Sequence, residues 1–408
     1  MKQFEVPNGY RSPLITAIKQ KRKVDDKLKK DFSPTLLDLG TVQFYLARHF
    51  GFCYGVENAI NIAYKTIEEN QGKRIFLLSE MIHNPQVNAD LLQKGVKFLH
   101  DTNGNSIIPI DELNSDDVVM IPAFGTTLEL EKIINDKGIE IQKYNTTCPF
   151  VEKVWNRSEQ IAKKGYSIII HGKPKHEETR ATFSHAASNT PTLIVNDMNE
   201  TKMLGAFILG KLSEDDFIQY FEKRYSKGFN PKVDLEKIGV VNQTTQLATD
   251  TQAISDYLKS IMVEKYGNQK IDAHFAETGD TLCYATNDNQ SAVIGLLETK
   301  ADLAIVMGGK NSSNSSHLVE LCEQKLPTYF IDDASKIIDE NEIISNDWKT
   351  KNAIKVNNYI PKKPVVKILM TSGASCPDAV VESSIQKIAA YFGKQNELEQ
   401  LINEWIEN

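Results

Sequence analysis

Three of the chain's five cysteines stand in short polar turns: Gly51-Phe52-Cys53-Tyr54-Gly55, Thr146-Thr147-Cys148-Pro149 and Asp280-Thr281-Leu282-Cys283. They fall about one to each third of the 408 residues, and each precedes a segment with helical apolar spacing. Three thiolates from three similar units could hold one iron–sulfur cluster and leave one iron open to a substrate oxygen. The alternative is three structural thiols, because free cysteine packs as a small core hydrophobe. An odd count without CxxC spacing argues against a disulfide framework and against a zinc ribbon. The cysteines alone leave both readings open.

Other chemically expressive residues gather just after short β-branched runs. They are Ile82-His83-Asn84-Pro85, the stretch from His171 to Thr179, Asn242-Gln243-Thr244-Thr245, the loop from Gly308 to Ser316, and the segment from Thr371 to Asp378. Each alone could be a turn, since Gly, Ser, Asn and Asp favour turns for local reasons. Together they offer hydroxyls, amides and helix-start N–H groups, the donors that suit phosphate oxygens. The imidazoles of His83 and His176 could donate to a diphosphate, more strongly when protonated beside it. Glu178, two residues past His176, could deliver protons from a partly dehydrated pocket. It could equally serve the first turn of the following helix. The Gly308–Ser316 loop fails as a nucleotide-triphosphate cradle, because Ala304 and Asn311 stand where glycine and a hydroxyl residue are needed. His49, His100, His185, His274 and His317 have no neighbouring motif and read as surface or core residues.

These loops need a scaffold, and the pattern supplies one. Runs at Arg74–Ser79, Val118–Pro122, Ser167–His171, Thr192–Val195, Ile238–Asn242, Leu303–Met307, Pro327–Ile331 and Val365–Met370 are short and apolar, and helical segments separate many of them. That predicts an α/β fold with mostly parallel sheets, whose ligands bind at the carboxyl ends of strands. The expected partition is a polar arm over 1–40 and α/β units over 41–147, 148–282 and 283–408. A helical insertion is expected at about 196–237, and a polar connection at Ser345–Pro364. The arm alternates Lys19, Lys21, Arg22, Lys23, Lys27, Lys29 and Lys30 with Asp25, Asp26 and Asp31. It reads as a solvated helix or a docking site for an acidic partner. A formal net charge of −7 argues against a nucleic-acid partner. No apolar run approaches the ~18 residues of a membrane span, and the N-terminus lacks a secretory h-region. A reduced cytoplasmic protein is expected.

Taken in order, the motifs resemble a known family. Gly51-Phe52-Cys53-x-Gly55-Val56, His83-Asn84, Thr147-Cys148-Pro149-x-Val151, His176-x-Glu178 with Thr182 nearby, and Gln243-Thr244-Thr245 come first. Cys283-x-Ala285-Thr286, Asn311-Ser312-Ser313-Asn314 and Gly373-Ala374-Ser375-x-Pro377-Asp378 follow. This series is similar to the LytB-type 4-hydroxy-3-methylbut-2-enyl diphosphate reductases, iron–sulfur enzymes of the last step of the methylerythritol phosphate route to isoprenoids. The resemblance spans about residues 44–392. It implies one [4Fe–4S] cluster per chain, held by Cys53, Cys148 and Cys283 with one iron open. His83, His176, Thr244, Ser312, Ser313, Asn314 and Ser375 would bind the diphosphate substrate, and Glu178 with Thr244 would relay protons. Two electrons from a donor such as ferredoxin or flavodoxin would remove the substrate hydroxyl as water, leaving isopentenyl and dimethylallyl diphosphate. The implied fold is a trefoil of three pseudo-symmetric α/β units around a central iron–sulfur cavity.

One position departs from the bacterial pattern. Where many members carry an Ala-His-Gly sequence, this chain reads Pro122-Ala123-Phe124-Gly125, which with the insertion and the arm resembles the plant and cyanobacterial branch. Phe124 cannot donate to phosphate, which leaves open how that phosphate is neutralised; Lys173, Lys175 or Arg180 could supply charge from the neighbouring loop. Cys376 beside Ser375 reads as a neutral occupant and Cys322 as core. A thiol hydrolase using one cysteine with His83 or His176 leaves two cysteines idle. A cluster that only senses oxygen has no need of the Ser-Ser-Asn loop, and an all-thiolate ligand set suits a hydrolytic zinc poorly.

Overall fold

The computed structural model describes residues 4–28, 30–279 and 281–407; Lys29 of the arm and Asp280 of the third cysteine turn lie outside the described residues. The fold is α/β with mostly parallel sheets, as expected. Among the named strands only two ladders are antiparallel, Thr35–Asp38 with Val42–Leu46 and Glu342–Asn346 with Ala353–Asn357. All eight expected runs form strands, some with trimmed ends.

Contacts group the chain into two compact units that cut across the expected succession. One gathers the chain up to Asn61, Ile82–Ala89 and everything from Tyr284; the other holds Ile62–Met81 and Asp90–Cys283. The first unit is built on a five-stranded sheet in the order Thr35–Asp38, Val42–Leu46, Val366–Ser372, Leu303–Met307, Thr328–Ile331. Val42 pairs with Val366 in parallel register, so segments more than 300 residues apart lie side by side in this sheet. Its inner strand Leu303–Met307 is buried at every position, as for a parallel strand covered on both faces, and Phe44, Leu46, Ile305 and Ile368 lie in the core.

The arm is docked rather than solvated. Helix Pro13–Asp25 starts at Ser12, whose Oγ accepts from the Ile15 N–H, with Pro13 in the first turn where its missing N–H costs nothing. Leu14, Ile15 and Ile18 fall on one face and join the sheet's core, against helices Asp378–Tyr391 and Gln395–Glu407. Three apolar anchors among so many lysines leave little trace in composition. The stretch expected as a polar connection contains strand Ala353–Asn357, almost wholly exposed, whose Ile354 and Val356 stand among lysines and asparagines.

The second unit holds two parallel sheets. One orders Val96–Phe98, Ile75–Leu77 and Val118–Met120; the other orders Thr192–Val195, Ser167–His171, Ile238–Asn242 and Phe275–Ala276. Between Val195 and Ile238 lie three helices, Met198–Ile208, Glu214–Tyr220 and Pro231–Asp234. Among the described residues no helix is long and apolar enough to cross a membrane.

Candidate active site

In the first unit the loops meet at the carboxyl ends of Leu303–Met307 and Val366–Ser372. Ser312 caps helix Ser313–Glu323, its Oγ accepting from the Ser315 N–H at 3.2 Å. A side chain on Gly308 or Gly373 would overlap Ser315 Oγ, and one on Gly309 would overlap the His83 carbonyl. Glycine is thus required for the loops to close on one another. The Ser375 hydroxyl donates to the His83 carbonyl at 3.2 Å, and the Cys53 N–H donates to the Ala374 carbonyl at 3.1 Å. His83, Ser312, Ser313, Asn314, Ser375 and the Cys53 turn are therefore brought together.

Asn314 is the most informative residue of this group. Its Oδ1 accepts from the Ala374 N–H at 2.9 Å and from Asn289 Nδ2 at 3.3 Å. A backbone N–H can only donate, so this contact fixes which end of the amide is oxygen. The other end, Nδ2, is buried with no partner among the described residues, in a side chain only 4% exposed. A buried unmatched donor beside a helix start is chemically suited to an anion's oxygen. Sequence reasoning missed Asn289; its sole signal is a polar residue on the inner face of helix Tyr284–Leu296.

In the second unit, Cys148 precedes helix Pro149–Ala162, and its N–H donates to the Ala123 carbonyl at 2.9 Å. Burial pushes its thiol up to about 12, and the nearby Cys283 and Glu178 push the same way. The Cys283 N–H donates to the Thr244 carbonyl at 3.1 Å. Glu178, 2% exposed, sits in the first turn of helix Glu177–Ala187, where a carboxylate is favoured. Its Oε1 accepts from the Thr244 N–H at 2.5 Å, and its Oε2 lies 3.0 Å from Thr244 Oγ1. His176 caps this helix, its Nδ1 accepting from the Glu178 N–H at 3.2 Å. That bond leaves the ring proton on Nε2 in the neutral form. Cys148, Cys283, His176, Glu178 and Thr244 thus form one connected group.

Gln243 proves to be the hub beneath it. Its Oε1 accepts from the Lys173 N–H, Thr179 Oγ1 and Gln246 Nε2, each at 3.1 Å. Of the expected charge donors, Arg180 is committed elsewhere: its Nη2 donates to the Thr102 carbonyl, and its guanidinium occupies the space a Gly104 side chain would need. Lys175 is exposed. Cys322 and Cys376 are fully buried, and burial raises both thiols.

The α/β fold, with these polar loops after its strands, is of the kind the motifs resemble. The chain belongs to the LytB protein family, which it matches over residues 44–389. Relatives include the 4-hydroxy-3-methylbut-2-enyl diphosphate reductase of Trichodesmium erythraeum, 40% identical over 355 residues, covering 87% of this chain and 86% of the relative. The reductase of the same name from Prochlorococcus marinus subsp. pastoris is 37% identical over 384 residues, covering 94% and 91%. The solved E-1-hydroxy-2-methyl-but-2-enyl-4-diphosphate reductase from Plasmodium falciparum shares the fold, with a TM-score of 0.60 and 24% identity over 85% of this chain and 87% of that one.

Proposed function

We infer that this chain reduces 4-hydroxy-3-methylbut-2-enyl diphosphate to isopentenyl and dimethylallyl diphosphate, the terminal step of the methylerythritol phosphate pathway. The carrying observation is the Thr244 clamp on a buried Glu178 beside Cys148 and Cys283, in a chain about as long as its named relatives. Thiol donors are the usual ligands of an iron–sulfur cluster. A thiol raised to about 12 is neutral at physiological pH, so it is a poor free nucleophile and becomes a thiolate only against a cation. Cys53, Cys148 and Cys283 would hold a [4Fe–4S] cluster; it would supply single electrons and one Lewis-acidic iron.

The remaining work falls to the chain's own groups. Ser312, Ser313, Asn314 and Ser375 would meet the diphosphate with hydroxyl and amide donors, and His83 and His176 with imidazole N–H groups. Charge-assisted bonds of this kind are about twice as strong as neutral ones. Glu178 Oε1 faces a backbone donor and is always an acceptor there. The Oε2 contact with Thr244 Oγ1 can carry a proton in either direction, so Thr244 is the exit for a proton held on Oε2. One proton leaves with the substrate hydroxyl as water, a second adds to carbon, and two electrons balance them. A one-electron carrier such as ferredoxin or flavodoxin would supply these electrons, in a reducing cytoplasm that suits five free cysteines.

The test is anaerobic purification with iron and sulfide quantitation, then product analysis with a chemical reductant. About four irons per chain and formation of both diphosphates support the reading. Zinc, or a metal-free protein, overturns it.

A further inference from the structure

The loop after strand Val118–Met120 is held more rigidly than a surface turn requires. The Ala123 N–H donates to the Met81 carbonyl at 3.2 Å, and the Ala123 carbonyl accepts from Cys148. Gly125 lies under the Trp155 ring, where an added side chain would come within 2.6 Å, and its φ of +78° suits glycine. Trp155 is fixed in turn by its Nε1–H to Thr182 Oγ1 at 3.1 Å and by stacking on His185 at 3.7 Å. His185 Nε2 meets the Thr126 carbonyl at 3.3 Å. What this loop presents is Phe124, whose ring meets His176 edge-to-face, with centroids 5.7 Å apart and planes at 85°.

We propose that Phe124 is a positioning residue for His176. An imidazole turns about two bonds, and the Nδ1 contact with the Glu178 N–H still lets the ring swing about that hydrogen bond. A lateral contact limits that swing, and Phe124 supplies one. It holds the Nε2–H at one angle, so that a diphosphate meets an oriented donor. The residue that cannot bind phosphate therefore contributes through the one beside it. This rests on the reductase reading for the identity of the ligand.

An edge-to-face pair of this kind carries the equivalent of a roughly two- to tenfold change in affinity. Phe124→Leu keeps the apolar bulk and loses the ring; Phe124→Tyr keeps both. In the anaerobic holoenzyme, Phe124→Leu should raise substrate KM, and the calorimetric Kd for inorganic diphosphate, by roughly two- to tenfold. Its kcat should stay within about twofold and its iron content should not change, while Phe124→Tyr should match wild type. Unchanged KM and Kd in Phe124→Leu would overturn the proposal. So would equal losses in both variants, or a loss confined to kcat or iron. A wild type that binds inorganic diphosphate but reduces nothing sinks the reductase reading instead, and the Kd comparison still decides the role of Phe124.

Discussion

Thr244→Val is the most discriminating single change. It removes Oγ1 and keeps the backbone, so the 2.5 Å bond from the Thr244 N–H to Glu178 Oε1 survives and the carboxyl group stays in place. What is lost is the 3.0 Å contact to Oε2, between side chains 2% and 4% exposed, where water cannot substitute. A hydrogen bond between neutral groups is worth about 0.5–1.5 kcal/mol, which converts to a fall of roughly 2- to 13-fold in kcat if all of it is felt in the proton-transfer step. KM should move far less, because Thr244 is one contact among several proposed for the substrate. Thr244→Ser keeps the hydroxyl and should stay within about threefold of wild type. The assay is anaerobic turnover with a chemical reductant, which bypasses any effect on the natural donor, on samples matched for iron content and circular dichroism. A Thr244→Val enzyme with wild-type kcat refutes the assignment of the proton path to Oε2 and Oγ1.

Three further outcomes follow from the geometry. Asn314→Asp puts a carboxylate oxygen where the unmatched Nδ2 now stands, so inorganic diphosphate should inhibit about tenfold or more weakly, measured as a competitive Ki. Gly309→Ala forces its new methyl against the His83 carbonyl and should cost about 1–3 kcal/mol of stability, read as a lowered urea midpoint with weakened diphosphate binding. Burial holds the His185 pKa below its ordinary 6.5, so the folded chain binds fewer protons there than the unfolded one, and its share of stability is present above pH 6.5 and lost as pH falls below it. Melts of wild type and His185→Phe at pH 7.5 and pH 5.5 should show the smaller acid-induced loss in the variant; equal losses refute the cause.

Many of the candidate site residues stood out because they sit in short polar stretches after apolar runs, as with Gly308–Ser316 and Asn242–Thr245. Strand Ile238–Asn242, buried at every position, announced itself by composition. Strand Ala353–Asn357 is exposed at nearly every position, and its short alternation of Ile354 and Val356 was overlooked among the surrounding lysines and asparagines. Supporting residues were hidden for another reason. Asn289 orients Asn314, and Phe124 touches His176, across sequence gaps that carry no periodic signal. Arg180 looked like a phosphate partner by proximity along the chain, yet the helix turns it toward Thr102 and Gly104. The docking of the first helix was masked by lysines that dilute Leu14, Ile15 and Ile18.

The parallel pairing of Val42–Leu46 with Val366–Ser372 sets a schedule for biosynthesis. The turn carrying Cys53 is made long before Ala374, and until then its sheet is incomplete and its amide lacks that acceptor. At about 5–20 residues per second, that interval is on the order of tens of seconds. During it, an unpaired strand edge and an uncovered thiol are open to aggregation and oxidation. Slower translation lengthens this exposure and a chaperone shortens it, so yield of intact protein should depend on synthesis conditions more than its finished stability suggests.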